Sequence, residues 1–232
     1  MIPPGGNASA TISMGWYFPH RDWAKSGSPP ETVGNHYSSL FASSEEPARA
    51  LLDDEEAVAD VRNWSAYVAA LTRSSLPDWY GDSLLNSLHH TRSAMWLSQH
   101  DDTGVPKWRQ WESFSCVNVD SVHNDGERHL AYLLTFGING TKSKMRAWAK
   151  GQCPPTSTNP ACEPGMIQEQ LATGCMAAVP ALDTPSGRTM GDVSSMFIVY
   201  LLELWQWGGD EEAVRELCPA ARRAAQWQMA RA

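Results

Sequence analysis

The chain has 232 residues, and its 18 Lys and Arg against 26 Asp and Glu give a formal net charge of -8. This acidic balance opposes binding to nucleic acid or to anionic lipid. The sequence contains no apolar run of about eighteen residues, so we expect no transmembrane segment. The first residues, Met1-Ile2-Pro3-Pro4-Gly5, lack the order of a signal peptide, so the cytoplasm is favoured while the compartment stays open.

The first 72 residues predict a strand, a loop and a helix. Residues 9–18 are β-branched and aromatic and alternate imperfectly, which predicts a strand with no obvious partner. Prolines and glycines then break every period, and we place a linking loop at residues 19–42. A helix is predicted from the capping box at residues 43–46, because apolar residues from Ala48 to Leu71 follow at three- and four-residue steps.

The rest of the chain predicts a regular alternation of helices and loops. Met145 and Trp148 are expected to face inward, Thr141, Asp192 and Asp210 to cap helices, and Met95 and Trp96 to belong to a helical stripe. Helices are predicted at residues 78–96, 121–136, 141–150, near 166–172, 193–207, from 210 onward and from Pro219 to Trp227, with loops at 98–120 and 151–191.

This set of elements is incomplete as a fold. A single strand has no sheet to join, and the last helix stops at Arg231-Ala232 without a cap. We therefore expect the chain to be part of a longer protein.

The five cysteines follow no metal-binding spacing, which opposes a zinc site. Cys153 and Cys162 bracket a proline-rich loop. They could form a disulfide, or they could be two unpaired thiols beside a flexible loop.

One segment carries a candidate catalytic arrangement: Trp108-Arg-Gln-Trp111-Glu112-Ser-Phe-Ser-Cys116. Aromatic rings stack on the apolar faces of a sugar, and a carboxylate beside them can attack the anomeric carbon. From the residues alone, a loop acid beside buried rings is the preferred interpretation.

Motifs for nucleotide binding, zinc proteolysis and α/β-hydrolase chemistry are absent, so we expect no cofactor and no metal. Other acids, Asp101, Asp102 and Asp125, are interpreted as solvated loop charges.

Five stretches of the chain, taken in order, favour the catalytic interpretation of Glu112 over that of a loop acid beside buried rings. They are Gly15-Trp-Tyr-Phe-Pro-His-Arg21 with Gly34-Asn-His-Tyr-Ser38, Leu76-Pro-Asp-Trp79 with Leu84-Leu-Asn-Ser-Leu88, Trp111-Glu112 with Asp120-Ser-Val-His123, Asp192-Val-Ser-Ser-Met-Phe-Ile-Val-Tyr200, and Gly209-Asp210 through Leu217-Cys-Pro219 to Trp227. Together they resemble the catalytic region of glycoside hydrolase family 116, which contains the bile-acid β-glucosidases, or non-lysosomal glucosylceramidases, and microbial relatives.

The resemblance implies an all-α fold, an (α/α)6 barrel that follows an N-terminal β-sandwich. Residues 1–18 would then be the end of the sandwich, residues 19–42 the linking loop, and residues 43–232 the first half of the barrel.

The resemblance also implies retaining hydrolysis of a β-glucoside or a glucosylated lipid. Glu112 maps onto the family's nucleophile, with Trp111 beside it. His123, Asp120 and Asp183 map near the residues that hold the sugar.

The chain departs from the family in two respects. Ser113 stands where the family usually has Gly, and Ala181 follows Pro180 where the family has His. The family's acid/base Asp lies beyond the helix that ends here at Trp227. Retaining chemistry needs two carboxyl groups about 5–5.5 Å apart, so we expect the chain alone to be inactive.

The sequence therefore predicts a retaining β-glucosidase or glucosylceramidase-like hydrolase, present here as an incomplete fragment. One alternative is a non-catalytic carbohydrate-binding or interaction protein built on half a barrel. Another is a glycosidase of a different (α/α)6 family, which would keep the fold and move the nucleophile.

Overall fold

A computed structural model of the chain describes residues 4–23, 31–100, 106–110, 120–126, 128–158, 160, 162–169 and 191–231. The described chain is mostly helical, as predicted, and also contains two small antiparallel sheets. In chain order the strands and α-helices are β1 (His20–Trp23), β2 (Glu31–Gly34), α1 (Glu45–Asp53), α2 (Glu55–Thr72), α3 (Asp78–Ala94), β3 (Met95–His100), β4 (Pro106–Gln110), α4 (His129–Phe136), α5 (Ile138–Lys150), α6 (Val193–Gly208) and α7 (Glu211–Met229).

The strand predicted at residues 9–18 is wrong, because residues 6–19 form no strand. A strand is stabilised by a hydrogen-bonded neighbour, and the first pairing along the chain is β1 with β2, where His20 lies opposite Gly34. Both strands fall within residues 19–42, which we predicted to be a loop.

The helix predicted from residue 43 to residue 71 is divided at Asp54. The Asp54 carboxylate accepts hydrogen bonds from the backbone N–H groups of Glu56 (2.9 Å) and Ala57 (3.1 Å), which makes Asp54 the N-cap of α2. Helix α1 begins at Glu45, and the Glu46 carboxylate accepts a hydrogen bond from the Ala42 N–H. The predicted capping box at residues 43–46 is therefore wrong: the N-cap is Ser44, its side chain makes no capping hydrogen bond, and Glu46 accepts from Ala42.

Strands β3 and β4 form an antiparallel pair where we predicted the end of a helix at residue 96 and a loop at residues 98–120, so both predictions are wrong here. Met95 lies opposite Gln110, and Trp96 lies opposite Arg109. Trp96 is buried, so its apolar character is used in a sheet instead of a helical stripe. Pairing with a segment more than ten residues away cannot be seen in the local period on which the prediction depended.

The largest core lies among helices α4 to α7. Met145 and Trp148 of α5 are almost fully buried, as predicted. The members that make up this core are Trp96, Val122, Leu133, Met145, Trp148, Ile167, Val193, Phe197, Tyr200, Leu201, Leu204, Ala213, Leu217, Ala220 and Ala224.

Helix boundaries in this core differ from the predictions at three places. Helix α4 begins at His129 instead of residue 121, and α5 begins at Ile138, so Thr141 is a buried residue inside α5 and not its cap. Residues 166–169 are not helical, and residues 170–172 lie outside the described residues. The end of α6 was predicted correctly, since Gly209 adopts the left-handed conformation (φ 67°).

Helix α7 is continuous through Pro219, although we predicted a new helix starting there. Proline removes one backbone donor and normally interrupts a helix. Buried residues lie on both sides of Pro219 at three- and four-residue steps. Ala213, Leu217, Ala220 and Ala224 belong to the main core with α6, and Trp227 packs with the disulfide. Burial of this stripe outweighs the loss of one hydrogen bond.

At the start of α7 the predicted cap is confirmed, because the Asp210 carboxylate accepts from the Ala213 N–H at 2.9 Å.

Cys153 and Cys162 form a disulfide with a Cα–Cα distance of 5.4 Å, which decides between the two alternatives left open by the sequence. Both cysteines are buried in a second cluster with Met166 and Trp227. The disulfide therefore closes the loop after α5, and this loop packs on Trp227 of α7.

Replacing both cysteines, Cys153→Ala and Cys162→Ala, should lower the free energy of unfolding by about 2.5 kcal/mol, because the open loop gains entropy in the unfolded chain. Urea denaturation of the oxidised wild type and of the double variant measures the difference. Cys218→Ala is the control, because Cys218 is an exposed free thiol. Equal stability of the wild type and the double variant would show that the cross-link contributes nothing.

The chain divides into two compact units, Met1–Pro19 with Tyr37–His89, and His20–His36 with His90–Ala232. In the first unit, α1 and α2 contain no buried residue. The second unit contains both buried clusters. This division differs from the boundaries after residues 18 and 42, which depend on the family resemblance and stay a prediction.

Candidate functional site

Residues 120–126 follow the segment that contains Trp111 and Glu112, and they are held firmly at their start. The Asp120 N–H donates to the Gln110 carbonyl at 2.9 Å. The Asp120 carbonyl in turn accepts from the Trp148 indole N–H at 2.8 Å. The two described ends of the 111–119 segment, Gln110 and Asp120, are therefore joined to each other and to α5.

Asp120 has a fully buried carboxylate. It accepts a hydrogen bond from the Arg109 guanidinium at 2.8 Å and another from the Gln110 N–H at 2.9 Å. Its backbone is left-handed (φ 52°), a conformation that Asp adopts more readily than most residues. Asp120 thus fixes the end of β4 through both its backbone and its side chain.

The next residues are held by the segment before residue 170 and by α6. The Val122 N–H donates to the Glu169 carbonyl at 2.7 Å. The Tyr200 hydroxyl donates to the Val122 carbonyl at 2.7 Å. These two bonds hold the 3-10 turn His123–Asp125 from both sides.

His123 is a partly exposed residue of this loop, with about 20% of its side chain accessible. Its Nδ1 lies 3.7 Å from Glu169 Oε1, and the Glu169 side chain is 15% accessible. A histidine beside a carboxylate can bond a ligand hydroxyl or transfer a proton. The His123–Glu169 pair is therefore a place where the described structure can meet a ligand.

The remaining predicted site residues, Trp111, Glu112 and Asp183, lie outside the described residues. Asp101 and Asp102 do so as well. Of the predicted set, the structure places Asp120 and His123 on one loop but gives them different partners. The predicted sugar contacts of both residues stay predictions.

Asp125 is buried and ion-paired with Lys144, so its interpretation as a solvated loop charge is wrong. Lys144 also donates to Gln110 Oε1 at 3.0 Å. Its ammonium group lies 5.0 Å from the centre of the Tyr132 ring and 5.4 Å from that of Trp148. Burial raises the pKa of Asp125, and the nearby Lys144 charge opposes this shift.

His129 is buried near the Asp125–Lys144 pair and is neutral. Its ring stacks on Tyr200 with centroids 4.3 Å apart. Burial, together with the Lys144 charge, lowers the pKa of His129 to about 3. His129 Nε2 is 4.0 Å from Glu203 Oε2, and burial raises the pKa of Glu203.

Sequence reasoning missed Arg109, Lys144, His129 and Glu169 as residues that build this site. Arg109 lies inside the aromatic segment at residues 108–116, and this position is the only feature of the sequence that could have marked it as a site residue. Lys144 and Glu169 carry no local signal, because their partners come from distant parts of the chain.

Comparison of the chain with models of protein families and with curated proteins finds no match. Within the described ranges, no group of three or more His, Cys, Asp or Glu residues is arranged to hold a metal ion. None of the helices described combines the length and apolar character required to cross a bilayer.

Proposed function

We propose that this chain carries the nucleophile-bearing part of a retaining β-glucosidase or glucosylceramidase-like hydrolase. The helices would form part of an (α/α)6 barrel, preceded by the end of a β-sandwich. Its substrate would be a β-glucoside or a glucosylated lipid, and no cofactor is assigned.

One observation carries the proposal. The segment containing Trp111 and Glu112 is bounded by Gln110 and Asp120, which are hydrogen-bonded to each other, and His123, which lies beside Glu169, follows three residues after Asp120. A retaining site requires its nucleophile on a well-anchored framework, because small displacements cost much of the rate. The buried Arg109–Asp120 pair supplies such an anchor.

Each residue has a proposed role. Glu112 attacks the anomeric carbon and forms the glycosyl ester, while the ring of Trp111 stacks on the sugar. His123 and Asp183 hold sugar hydroxyls. Asp120 holds the loop, and direct contact with the sugar would require its carboxylate to leave Arg109.

Trapping the glycosyl ester tests this proposal. A 2-deoxy-2-fluoro β-glucoside slows both steps, and a dinitrophenyl leaving group restores the first without a proton donor, so the ester accumulates. The protein from the complete coding sequence should gain the sugar mass on the peptide containing Trp111-Glu112-Ser113. Mass spectrometry of the digest measures this gain.

Glu112→Gln should abolish labelling and leave the melting temperature unchanged, because the two side chains have nearly the same shape. Glu212→Gln, at an exposed position of α7, is the matched control and should be labelled like the wild type. A label on Asp120, Asp125 or Asp183 would reject Glu112 and keep the hydrolase. Glucose binding with no label and no aryl-glucoside hydrolysis would instead identify a carbohydrate-binding protein.

A further inference from the structure

A small cavity of about 10 Å³ lies between the β3–β4 hairpin, the 120–126 loop and helices α4 and α5. A cavity of about 10–15 Å³ holds one water molecule. The residues around it that matter here are Trp108, Asp125, His129, Gly140, Thr141 and Lys144.

Thr141 presents an unpartnered hydroxyl to this cavity. The residue is only 4% exposed, and its Oγ1 atom is buried without a hydrogen-bond partner among the described residues. Helical Thr hydroxyls often bond a backbone carbonyl three or four residues earlier, and here no such bond forms. A buried hydroxyl without a partner lowers the stability of the fold, and a group in the cavity that bonds it would remove this cost.

A second hydrogen-bonding group lines the same cavity. The Asp125 carboxylate bonds Lys144 through Oδ2. A carboxylate accepts several hydrogen bonds, so Asp125 can take another donor. A ligand between Thr141 and Asp125 would therefore have two polar partners, as buried waters require.

The charges around the cavity cancel, and this favours a neutral ligand over an ion. The positive charge of Lys144 is paired with the negative charge of Asp125. His129, which closes the cavity on the α4 side, is neutral because burial lowers its pKa to about 3. An ion would therefore lose its hydration without gaining a counter-charge.

The opposite wall is tightly closed. A Cβ atom at Gly140 would lie 2.8 Å from Cε2 of the Trp108 ring. Helix α5 thus approaches Trp108 as closely as a glycine allows, and the space beside Thr141 is limited to one small group.

We infer that this cavity is a binding site for a single neutral hydroxyl group, which bonds Thr141 Oγ1 and the Asp125 carboxylate. Water supplies the hydroxyl in the free protein, and a hydroxyl of a sugar ligand offers the same chemistry. This site is independent of the proposed role of Glu112.

The sign of a stability change tests the inference. Thr141→Val keeps the β-branched shape and replaces the hydroxyl with a methyl group. If a bound hydroxyl pairs with Thr141, the variant should lower the melting temperature by about 2–4 °C, as expected for one lost hydrogen bond in a chain of this size. If the cavity is dry, the variant removes an unpaired polar group and the melting temperature should rise, which would overturn the inference.

Thr141→Ser is the matched control, because it keeps the hydroxyl and loses a methyl group. A crystal structure of the wild type should show an ordered oxygen within about 3.2 Å of Thr141 Oγ1, and Thr141→Val should lose it. An empty cavity in the wild type would also reject the site. Thermal melts with added glucose distinguish the two sources of the hydroxyl. If a sugar hydroxyl occupies the site, glucose should raise the melting temperature less in Thr141→Val than in the wild type. If water occupies the site, glucose should raise the melting temperature equally in both proteins.

Discussion

Lys144→Met should lower the free energy of unfolding by about 3–5 kcal/mol, because it leaves the Asp125 carboxylate buried without its partner. Both side chains of this pair are almost inaccessible, at 4% and 3%. Met preserves most of the volume of Lys, so the lost charge dominates the change. Urea denaturation at neutral pH measures it.

Two further variants isolate the charge effect. Arg215→Met breaks the exposed pair with Glu211, whose side chains are 75% and 70% accessible, and should cost less than about 1 kcal/mol. The double variant Lys144→Met with Asp125→Leu removes both charges and should recover most of the loss, since an apolar pair can replace a buried ion pair.

The pKa of Asp125, already raised by burial, should rise further once Lys144 is removed, and acid should then restore part of the stability of Lys144→Met. A loss in Lys144→Met no larger than that in Arg215→Met would contradict a buried pair.

The stability of the protein should fall as the pH decreases from about 6.5 towards 3, with a large contribution from His129. The pKa of His129 is lower in the folded state than in the unfolded state, so the unfolded chain takes up the proton first in this window. The loss attributable to this residue is on the order of 4 kcal/mol, at 1.36 kcal/mol for each pKa unit.

His129→Phe provides the comparison, because a phenyl ring can still stack on Tyr200 but does not titrate. The raised pKa values of Asp125 and Glu203 make stability increase as the pH falls, which opposes the effect of His129. Both residues are present in the wild type and in the variant. The difference between the two stability curves therefore reports His129. Parallel curves between pH 6.5 and 3 would mean that His129 is not held neutral in the fold.

Elements whose signals are local were predicted well. The end of α6 depends on Gly209, which readily adopts the left-handed conformation that closes a helix, and the start of α7 depends on the Asp210 cap. Both signals are contained within a few residues, so the sequence alone reveals them.

Elements decided by distant partners were predicted poorly. Met95 and Trp96 fit the stripe of the preceding helix, and pairing with β4 makes them the start of a strand. Pro219 normally starts a helix, and the packing of α7 on α6 carries the helix through it. In both cases tertiary burial outweighs a local preference.

The candidate site shows the same limit. The loop that holds His123 was predicted to be the start of a helix at residues 121–136, and Asp120 and His123 became candidates only through the family resemblance. The partners that define the roles of these residues, Arg109 and Glu169, come from other segments. A charged residue that becomes buried, such as Lys144, gives no sign of it in a sequence where most lysines are solvated.

The lack of buried residues in α1 and α2 has a consequence for the motions of the chain. Helices that bury little apolar area open locally at a small free-energy cost, whereas core helices open only when the whole unit unfolds. Val61 and Trp64 of α2 remain about 66% and 49% exposed, while Phe197 and Leu204 of α6 are completely enclosed. We therefore expect the backbone amides of α1 and α2 to exchange with solvent through local fluctuations, and those of α6 to exchange only through global unfolding.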